Sequence, residues 1–176
     1  MILTVRDMKE SDLKVVSDYW LLSPKTFLLE MGADPTKLRT RRQALTDFLK
    51  NAELPDNKKT FCSLMWEVDG QAVGYSTLKR IRFGDFADVH LHMWESSLRG
   101  KGYGSQLFAK GLRIFFDRFQ LKYILCEPYV KNAASNGVLR KLGIPVTKTY
   151  RTAPSAISLE MECNQHVIRR EHLPLK

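Results

Sequence analysis

The sequence predicts an α+β protein, in which mixed α and β elements surround a central, mostly antiparallel sheet. Two observations carry this prediction. The middle of the chain contains apolar and β-branched runs joined by tight turns, the first at Asp69–Gly70, a dipeptide typical of two-residue hairpins. From Gly104 onward, the apolar residues recur at helical spacing, which indicates an amphipathic helix packed on that sheet. The predicted order of elements is β-α-α-β-β-β-α-β-α-β-β.

The first part of the chain predicts one short strand followed by helical segments. Residues 2–6 alternate well enough for a strand, and residues 11–20 begin with a capping pair and continue with apolar residues on one helix face. Residues 24–50 favour helix in two pieces, which glycine and proline interrupt at 32–35. The second piece begins with a basic run, Lys37, Arg39, Arg41 and Arg42.

Aromatic and β-branched residues predict the remaining strands at 60–68, 72–83, 87–94, 122–126, 146–150 and 156–161. Two further helices are predicted over 104–119 and 132–142. The second of these stops at Gly143, a residue type that commonly follows a helix C-terminus.

A chain of 176 residues fits one domain, which we place at 1–163, with a polar C-terminal tail at 164–176. No apolar run is long enough to span a membrane, and charges at residues 6 and 7 come too early for a secretory signal. The cysteines are odd in number and too widely spaced for a disulfide framework or a zinc site. We therefore expect a cytoplasmic protein with three free thiols, Cys62, Cys126 and Cys163.

The chain is basic, with 28 Lys and Arg residues against 19 Asp and Glu residues and a net charge of +9. Such an excess favours an anionic partner, which can be a nucleic acid, an acidic protein surface or a polyphosphate cofactor. A basic surface without a function explains the same charge equally well. Charge therefore does not choose among these classes.

A glycine-rich segment, residues 99–105, follows a predicted strand and opens a helix. Three glycines at alternate positions remove the Cβ atoms that would keep a ligand from the backbone. The N–H groups at a helix start point outward, at the positive end of the helix dipole. The spacing fits neither a P-loop nor a dinucleotide-binding fingerprint. The glycines alone favour a plain turn, and the alternative is a diphosphate cradle formed by Arg99, Gly100, Lys101, Gly102, Tyr103, Gly104 and Ser105.

Two blocks of sequence resemble the GNAT N-acetyltransferase superfamily. The first is Arg-x-x-Gly-x-Gly at 99–104, placed between a strand and an amphipathic helix. The second, from Glu127 to Gly143, resembles the pattern Glu-Pro-x-x-x-Asn-x-Ala-Ser-x-x-Val-x-x-Lys-x-Gly. That version is seen in the subgroup that contains the ribosomal-protein-alanine acetyltransferases. The resemblance covers about residues 60–162 and is weak over 1–59.

The resemblance implies a GNAT-like fold, with a twisted sheet of six or seven strands, one splayed parallel pair and about four flanking helices. The parallel pair would be the strand before the glycine loop and the strand at 122–126. Acetyl-CoA would lie between them as a cosubstrate, with its pantetheine arm near Asn132. This asparagine is equally typical of a helix N-cap. The pantetheine would pair with the backbone of Met93, Trp94 and Glu95.

The implied reaction is direct attack of a primary amine on the thioester, in a ternary complex and without a metal. Backbone N–H groups near Trp94 would polarise the carbonyl. Leu139 stands where the family usually has a tyrosine, and the subgroup resemblance suggests Ser135 instead. A weak base favours an amine of low pKa, such as a protein N-terminus or a small amine. Three residues that share one strand face are candidate bases, although a solvated face explains them equally well: Asp88, His90 and His92.

Two alternatives to an N-acetyltransferase stay open at this point. A non-catalytic acyl-CoA-binding sensor or interaction module would use the same fold, and the missing tyrosine favours it. A nucleic-acid-binding domain would use the positive charge, but it leaves the segment 99–104 unexplained. We expect no membrane partner, no nucleic acid, and a monomer or homodimer.

Overall fold

The computed structural model describes residues 1–173 as one sheet with helices on both faces. The strands are β1 (Leu3–Asp7), β2 (Phe61–Val68), β3 (Gln71–Lys79), β4 (Phe86–Met93), β5 (Tyr123–Cys126), β6 (Lys148–Thr152) and β7 (Met161–Ile168). The α-helices are α1 (Leu13–Leu21), α2 (Lys25–Glu30), α3 (Arg41–Ala52), α4 (Tyr103–Phe119) and α5 (Ala133–Lys141). The seven strands lie in the order β1-β2-β3-β4-β5-β7-β6, and only the β4–β5 pair is parallel. The predicted α+β class is confirmed, with five α-helices among the described residues rather than about four.

The β2–β3 hairpin closes at the predicted dipeptide. Asp69 and Gly70 have φ values of 50° and 79°, and two left-handed residues are what a type I′ turn requires. The strand β3 ends at Lys79, earlier than predicted, because Arg80 takes a left-handed φ of 48° and turns the chain toward β4. The middle of the sheet is therefore the antiparallel meander that the sequence indicates.

One face of the sheet carries the apolar core. Helix α4 packs fully buried side chains such as Phe108, Leu112 and Phe115 against Leu78 and Val89 of the sheet. Helices α1–α3 lie on the opposite face of the sheet, where many of the contacts are polar. Alternate residues of β3 and β4 therefore point either into the core or toward α1–α3.

The strands β4 and β5 diverge after a short paired stretch. They pair in parallel only from Phe86–Tyr123 to Asp88–Leu125. The strand β4 continues to Met93, whereas β5 ends at Cys126. The predicted splayed parallel pair is confirmed, and it leaves a gap in the sheet beyond residue 88.

The prediction for the C-terminal region is wrong in two places. The strand predicted at 156–161 lies instead at 161–168, so the boundary drawn after residue 163 falls inside β7. Its polar composition conceals the strand, because β7 lies between β5 and β6 and its polar side chains meet polar partners, such as Asn164 with Thr149. The chain stays packed as far as Leu173, which is 7% exposed. Residues 174–176 of the predicted tail lie outside the described residues.

Candidate active site

A cavity of 1110 Å³ opens where β4 and β5 diverge. We call its two parts the loop end and the sheet end. The loop end is lined by the glycine loop and by residues 131–141 of the segment that contains α5. The sheet end is lined by α1–α3 and by the polar face of β3 and β4, with Tyr75, Thr77, Lys79, Asp88, His90 and His92.

The backbone of the glycine loop requires two of its glycines. Gly100 and Gly102 have φ values of 76° and 85°, and Gly102 is the N-cap of α4. A Cβ at Gly104 would lie at an ordinary contact distance of 3.8 Å from Met93 and Val138. The N–H groups at the start of α4 lack partners within the helix and face the cavity end that a diphosphate would fill.

The residues of the predicted loop differ in whether they line the cavity. Gly100, Gly102, Gly104 and Ser105 line the cavity, together with Arg99. The Ser105 hydroxyl donates to the carbonyl oxygen of Gly102 at 2.8 Å, which closes the first turn. The two remaining loop residues do not line the cavity, since one is exposed and the other packs against the core: Lys101 and Tyr103.

Lys141 is a cation of the loop end that the motif analysis missed. Its Nζ lies above the loop, 2.5 Å from the position that a Cβ on Gly102 would take. The residue ends α5, so the helix brings a second positive charge to the N-terminus of α4. The lysine near the end of the second sequence block was the available signal, and only the packing of α5 shows where it points.

The backbone expected to hold the pantetheine is partly engaged within the protein. The N–H groups of Trp94 and Glu95 both donate to the Val73 carbonyl oxygen, at 3.0 and 3.4 Å. The Trp94 N–H is therefore not free to polarise a bound carbonyl, and the expectation of N–H groups near Trp94 is left to its neighbours on β4. Because N–H groups alternate between the two edges of a strand, the N–H of Met93 faces the gap. Arg99 donates to the Met93 carbonyl oxygen at 2.7 Å, which ties the loop to the end of β4.

Asn132 caps helix α5, and Ser135 lies in the first turn. The Asn132 side-chain oxygen accepts the Ser135 N–H at 3.1 Å. Ser135 lines the cavity, and its hydroxyl has no hydrogen-bond partner within residues 1–173. Leu139 is fully buried in the core, so the position that usually holds a tyrosine does not reach this cavity.

Asp88 is held by a guanidinium. Both of its carboxylate oxygens accept from Arg80, one of them from Nη2 at 2.8 Å, and its side chain is 8% exposed. This bidentate pair occupies both oxygens of the carboxylate. Asp88 is therefore poorly placed as a free base.

The two histidines of β4 are neutral in this environment. Burial lowers the pKa of His90 to about 4, and burial together with His90 lowers the pKa of His92 to about 3. His92 stacks on Tyr75, with ring centroids 5.0 Å apart, and its Nδ1 lies 3.4 Å from the Tyr19 hydroxyl. The His90 Nε2 has no partner in the part of the chain that the structure describes. Imidazoles with such low pKa values are weak proton acceptors near pH 7.

Glu127 is a carboxylate of the site that was not among the predicted bases. It directly follows β5, where β5 diverges from β4, and lines the cavity. Its Oε1 accepts from the Tyr150 hydroxyl and from Gln165 Nε2, the latter at 2.8 Å. Its Oε2 has no partner within the described chain. The available signal was its position, one residue after an apolar strand and first in the second block.

The chemistry of the remaining groups is limited. Across residues 1–173, no three His, Cys, Asp or Glu side chains lie close enough to hold a metal ion. The three cysteines are buried and free, and burial raises the pKa of the Cys126 thiol to about 12. This thiol therefore stays protonated at neutral pH. Among the described helices, none combines the length and apolar character that crossing a membrane requires.

Residues 3–144 match the family model described as an acetyltransferase (GNAT) domain. The chain belongs to the GNAT acetyltransferase family. This finding confirms the resemblance seen in the two sequence blocks. It also extends family membership to the N-terminal region, where the resemblance was weak. No curated protein matches this GNAT chain.

Solved structures with the same fold share little sequence with this GNAT protein. A spermidine N-acetyltransferase from Vibrio cholerae, in complex with CoA and spermine, has a TM-score of 0.77 at 15% identity, over 97% of both chains. The ribosomal-protein α-N-acetyltransferase RimL, in complex with CoA, has a TM-score of 0.75 at 16% identity, over 95% of this chain and 93% of that chain. An aminoglycoside acetyltransferase in complex with CoA has a TM-score of 0.72 at 17% identity, over 97% of this chain and 96% of that chain. At these identities the likeness shows the fold.

Proposed function

We propose that this GNAT protein transfers the acetyl group of acetyl-CoA to a primary amine by direct attack in a ternary complex. The observation that carries the proposal is the gap between β4 and β5, which ends at a loop of outward-facing N–H groups. A diphosphate at this loop, beside Lys141, would leave the pantetheine free to follow β4 toward the sheet end. The structural neighbours that hold CoA support this placement.

The thioester would then lie near the divergence of β4 and β5. A backbone N–H that faces the gap, such as that of Met93, can donate to the oxyanion that forms on attack. Such a group is already fixed by the sheet, so its orientation costs little during the reaction. Positioning of both reactants in one cavity supplies much of the remaining rate.

We assign the proton of the attacking amine to Glu127. The nitrogen forms a bond to the thioester carbon and gives its proton to the free carboxylate oxygen. The carbon–sulfur bond then breaks, and its electron pair leaves on sulfur. The Ser135 hydroxyl, which has no other partner within residues 1–173, donates a hydrogen bond to the thiolate, and solvent protonates it. Asp88 instead orders Arg80, and His90 and His92 line the acceptor path as neutral rings.

A protein N-terminus or a small amine is the acceptor class that this arrangement supports. An α-amine with a pKa near 8 is roughly one-tenth neutral at pH 7, whereas a lysine side chain is neutral in less than about one molecule in a thousand. The amines named for the structural neighbours, spermine and a ribosomal protein, lie in the same broad class.

The test combines calorimetry with an assay of thiol release. CoA should bind with an enthalpy that the variant Gly102→Glu abolishes, and a panel of small amines and peptides should release CoA thiol only with an acceptor present. Tight CoA binding without turnover on any amine would contradict the transferase and favour an acyl-CoA sensor. Absence of CoA binding would contradict the cofactor placement itself.

A further inference from the structure

Lys79 is a cation of the sheet end that lacks an acidic partner. It is the last residue of β3, it lines the cavity, and in residues 1–173 no carboxylate lies within ion-pair distance of its Nζ. The Nζ instead lies 4.4 Å from the centroid of the Phe61 ring. The side chain is reached by solvent inside the cavity, yet the surrounding protein atoms and Arg39 lower the pKa of Lys79. An anionic group beside the exposed Lys79 side chain would raise this pKa again.

The neighbouring cations already have acidic partners. Arg80 holds Asp88, and Arg39 pairs with Asp47. Within residues 1–173, the charges that shift the pKa of Lys79 are those of Arg39, which lowers it, and Asp47, which raises it. Because Asp47 is paired with Arg39, it does not neutralise Lys79. Lys79 is therefore the cation of the sheet end that no carboxylate of the described chain pairs with, although the carboxylates of Glu30 and Glu127 line the same cavity.

The sheet register places Lys79 beyond the reacting groups. Tyr75 pairs with His92, Thr77 with His90, and Lys79 with Asp88, so these pairs stand on one face in successive steps. Each step is two residues, about 7 Å. An amine that attacks near His92 and His90 would thus have Lys79 one or two steps farther from the loop end. His90 lies on β4 between His92 and Asp88, and its Nε2 has no hydrogen-bond partner in the described chain.

We propose that Lys79 binds a carboxylate carried by the acceptor, several bonds from its reacting amine, with His90 Nε2 as a neighbouring polar contact. This inference rests on the proposed acetyl transfer and narrows its acceptor class to anionic amines. A polyamine such as spermidine would instead place a positive charge beside Lys79.

The test is a ladder of ω-amino acids with their uncharged amides: glycine, β-alanine, γ-aminobutyrate and ε-aminocaproate. The measured quantity is the ratio of kcat/KM for each acid to that for its amide, and spermidine is included as a polycation. The wild type should favour the acids by about tenfold or more at the longer members, as expected for a charge-assisted hydrogen bond. Glycine, whose charges are adjacent, should show the smallest ratio.

Three variants test whether Lys79 is the residue that binds the carboxylate of the acceptor. Lys79→Gln should bring the acid-to-amide ratio close to one, and Lys79→Arg should retain most of it, which also shows that the fold tolerates change at this position. Lys122→Gln is the matched control, because Lys122 is 71% exposed, pairs with Asp85 and does not line the cavity. It should keep the wild-type ratio.

The outcomes separate the two proposals. Acetylation of amides as readily as of acids, or a ratio that Lys79→Gln leaves unchanged, would overturn the anion site while acetyl transfer stands. Preference for spermidine over every acid would overturn it as well. Bound CoA with no turnover on any acceptor would reject the proposed function, and the inference would fall with it.

Discussion

The loop end and the sheet end of the cavity are built from different kinds of groups. At the loop end, contacts are offered by the backbone of residues 100–105, which positive-φ glycines and the start of α4 hold in place. At the sheet end, contacts are offered by side chains of β3, β4 and the first three helices, which lie far apart in the sequence. A backbone site therefore resides in one short motif, whereas a side-chain site exists only after the chain has folded.

The two ends also differ in charge. The loop end gathers cations such as Lys131 and Lys141 around helix N–H groups, which suits a diphosphate. The sheet end pairs Arg80 with Asp88 and Arg39 with Asp47, and it leaves both the cation of Lys79 and the carboxylate of Glu127 without an ion-pair partner in the described chain. One end is thus suited to hold a fixed cosubstrate, and the other to discriminate among acceptors. Substitutions at each end should change different quantities.

The largest expected effect is at the loop end. Gly102→Glu forces a side chain onto a φ of 85°, places its Cβ 2.5 Å from Lys141 Nζ and adds a negative charge where phosphate binds. CoA affinity by calorimetry should fall more than about a hundredfold. Gly102→Ala adds only the Cβ and should give an intermediate loss. Unchanged affinity in the glutamate variant, with a native circular dichroism spectrum, would remove the diphosphate from this loop.

Glu127→Gln should change the sheet end alone. Loss of the proton acceptor should lower kcat by about a hundredfold or more, with CoA affinity unchanged. Glu160→Gln, at an exposed carboxylate that pairs with Arg151, is the matched control and should keep the wild-type kcat. A kcat that survives in Glu127→Gln would return the role to Asp88, His90 or His92.

Lys141→Gln should weaken CoA binding by about tenfold, because one charge-assisted contact to the phosphates is lost. Binding of the variant should also depend less steeply on salt concentration than that of the wild type. The neighbouring Arg140→Gln removes an equal charge that does not line the cavity, and it should leave the affinity close to wild type. Equal losses in both variants would show a general charge effect instead of a site at Lys141.

The smallest effect concerns stability outside the cavity, where Arg6 of β1 anchors the turn before α1. Arg6 donates to both oxygens of Asp12 at 2.6 and 2.9 Å and holds the pKa of Asp12 below its ordinary value. A lowered folded-state pKa means that this stabilisation is complete above the unfolded-state pKa of about 4 and is lost as the pH falls through the folded-state value. Asp12→Asn should therefore cost about 2 kcal/mol at pH 7 and much less at low pH.

Urea unfolding at several pH values measures this difference. Asp117→Asn is the control, because the pair of Asp117 with Arg170 is exposed and should contribute less than about 1 kcal/mol. A cost of Asp12→Asn that stays constant between pH 7 and pH 3 would contradict the ion-pair explanation. CoA affinity at pH 7 should be the same in both variants, since neither residue lines the cavity.

The sequence by itself determined the elements whose signals are local. The hairpin at Asp69–Gly70, the amphipathic pattern of α4 and the glycines at 100–104 each depend on a few adjacent residues. Turn geometry, helix periodicity and backbone access to phosphate follow from those residues without reference to the rest of the chain. The loop end could therefore be predicted from these residues, whereas the resemblance of the two sequence blocks to the GNAT superfamily implied the family and the parallel pair.

Only the tertiary structure decided the sheet end. The strand β7 escaped prediction because its polar side chains are satisfied by strands that are distant in sequence. Lys141 lies over the loop through the packing of α5, and Asp88 is occupied through the left-handed turn at Arg80. Whether a side chain is paired, neutral or free depends on the side chains and backbone groups that surround it. For Glu127 and Lys79, the neighbouring groups come together only when the strands and helices pack against one another.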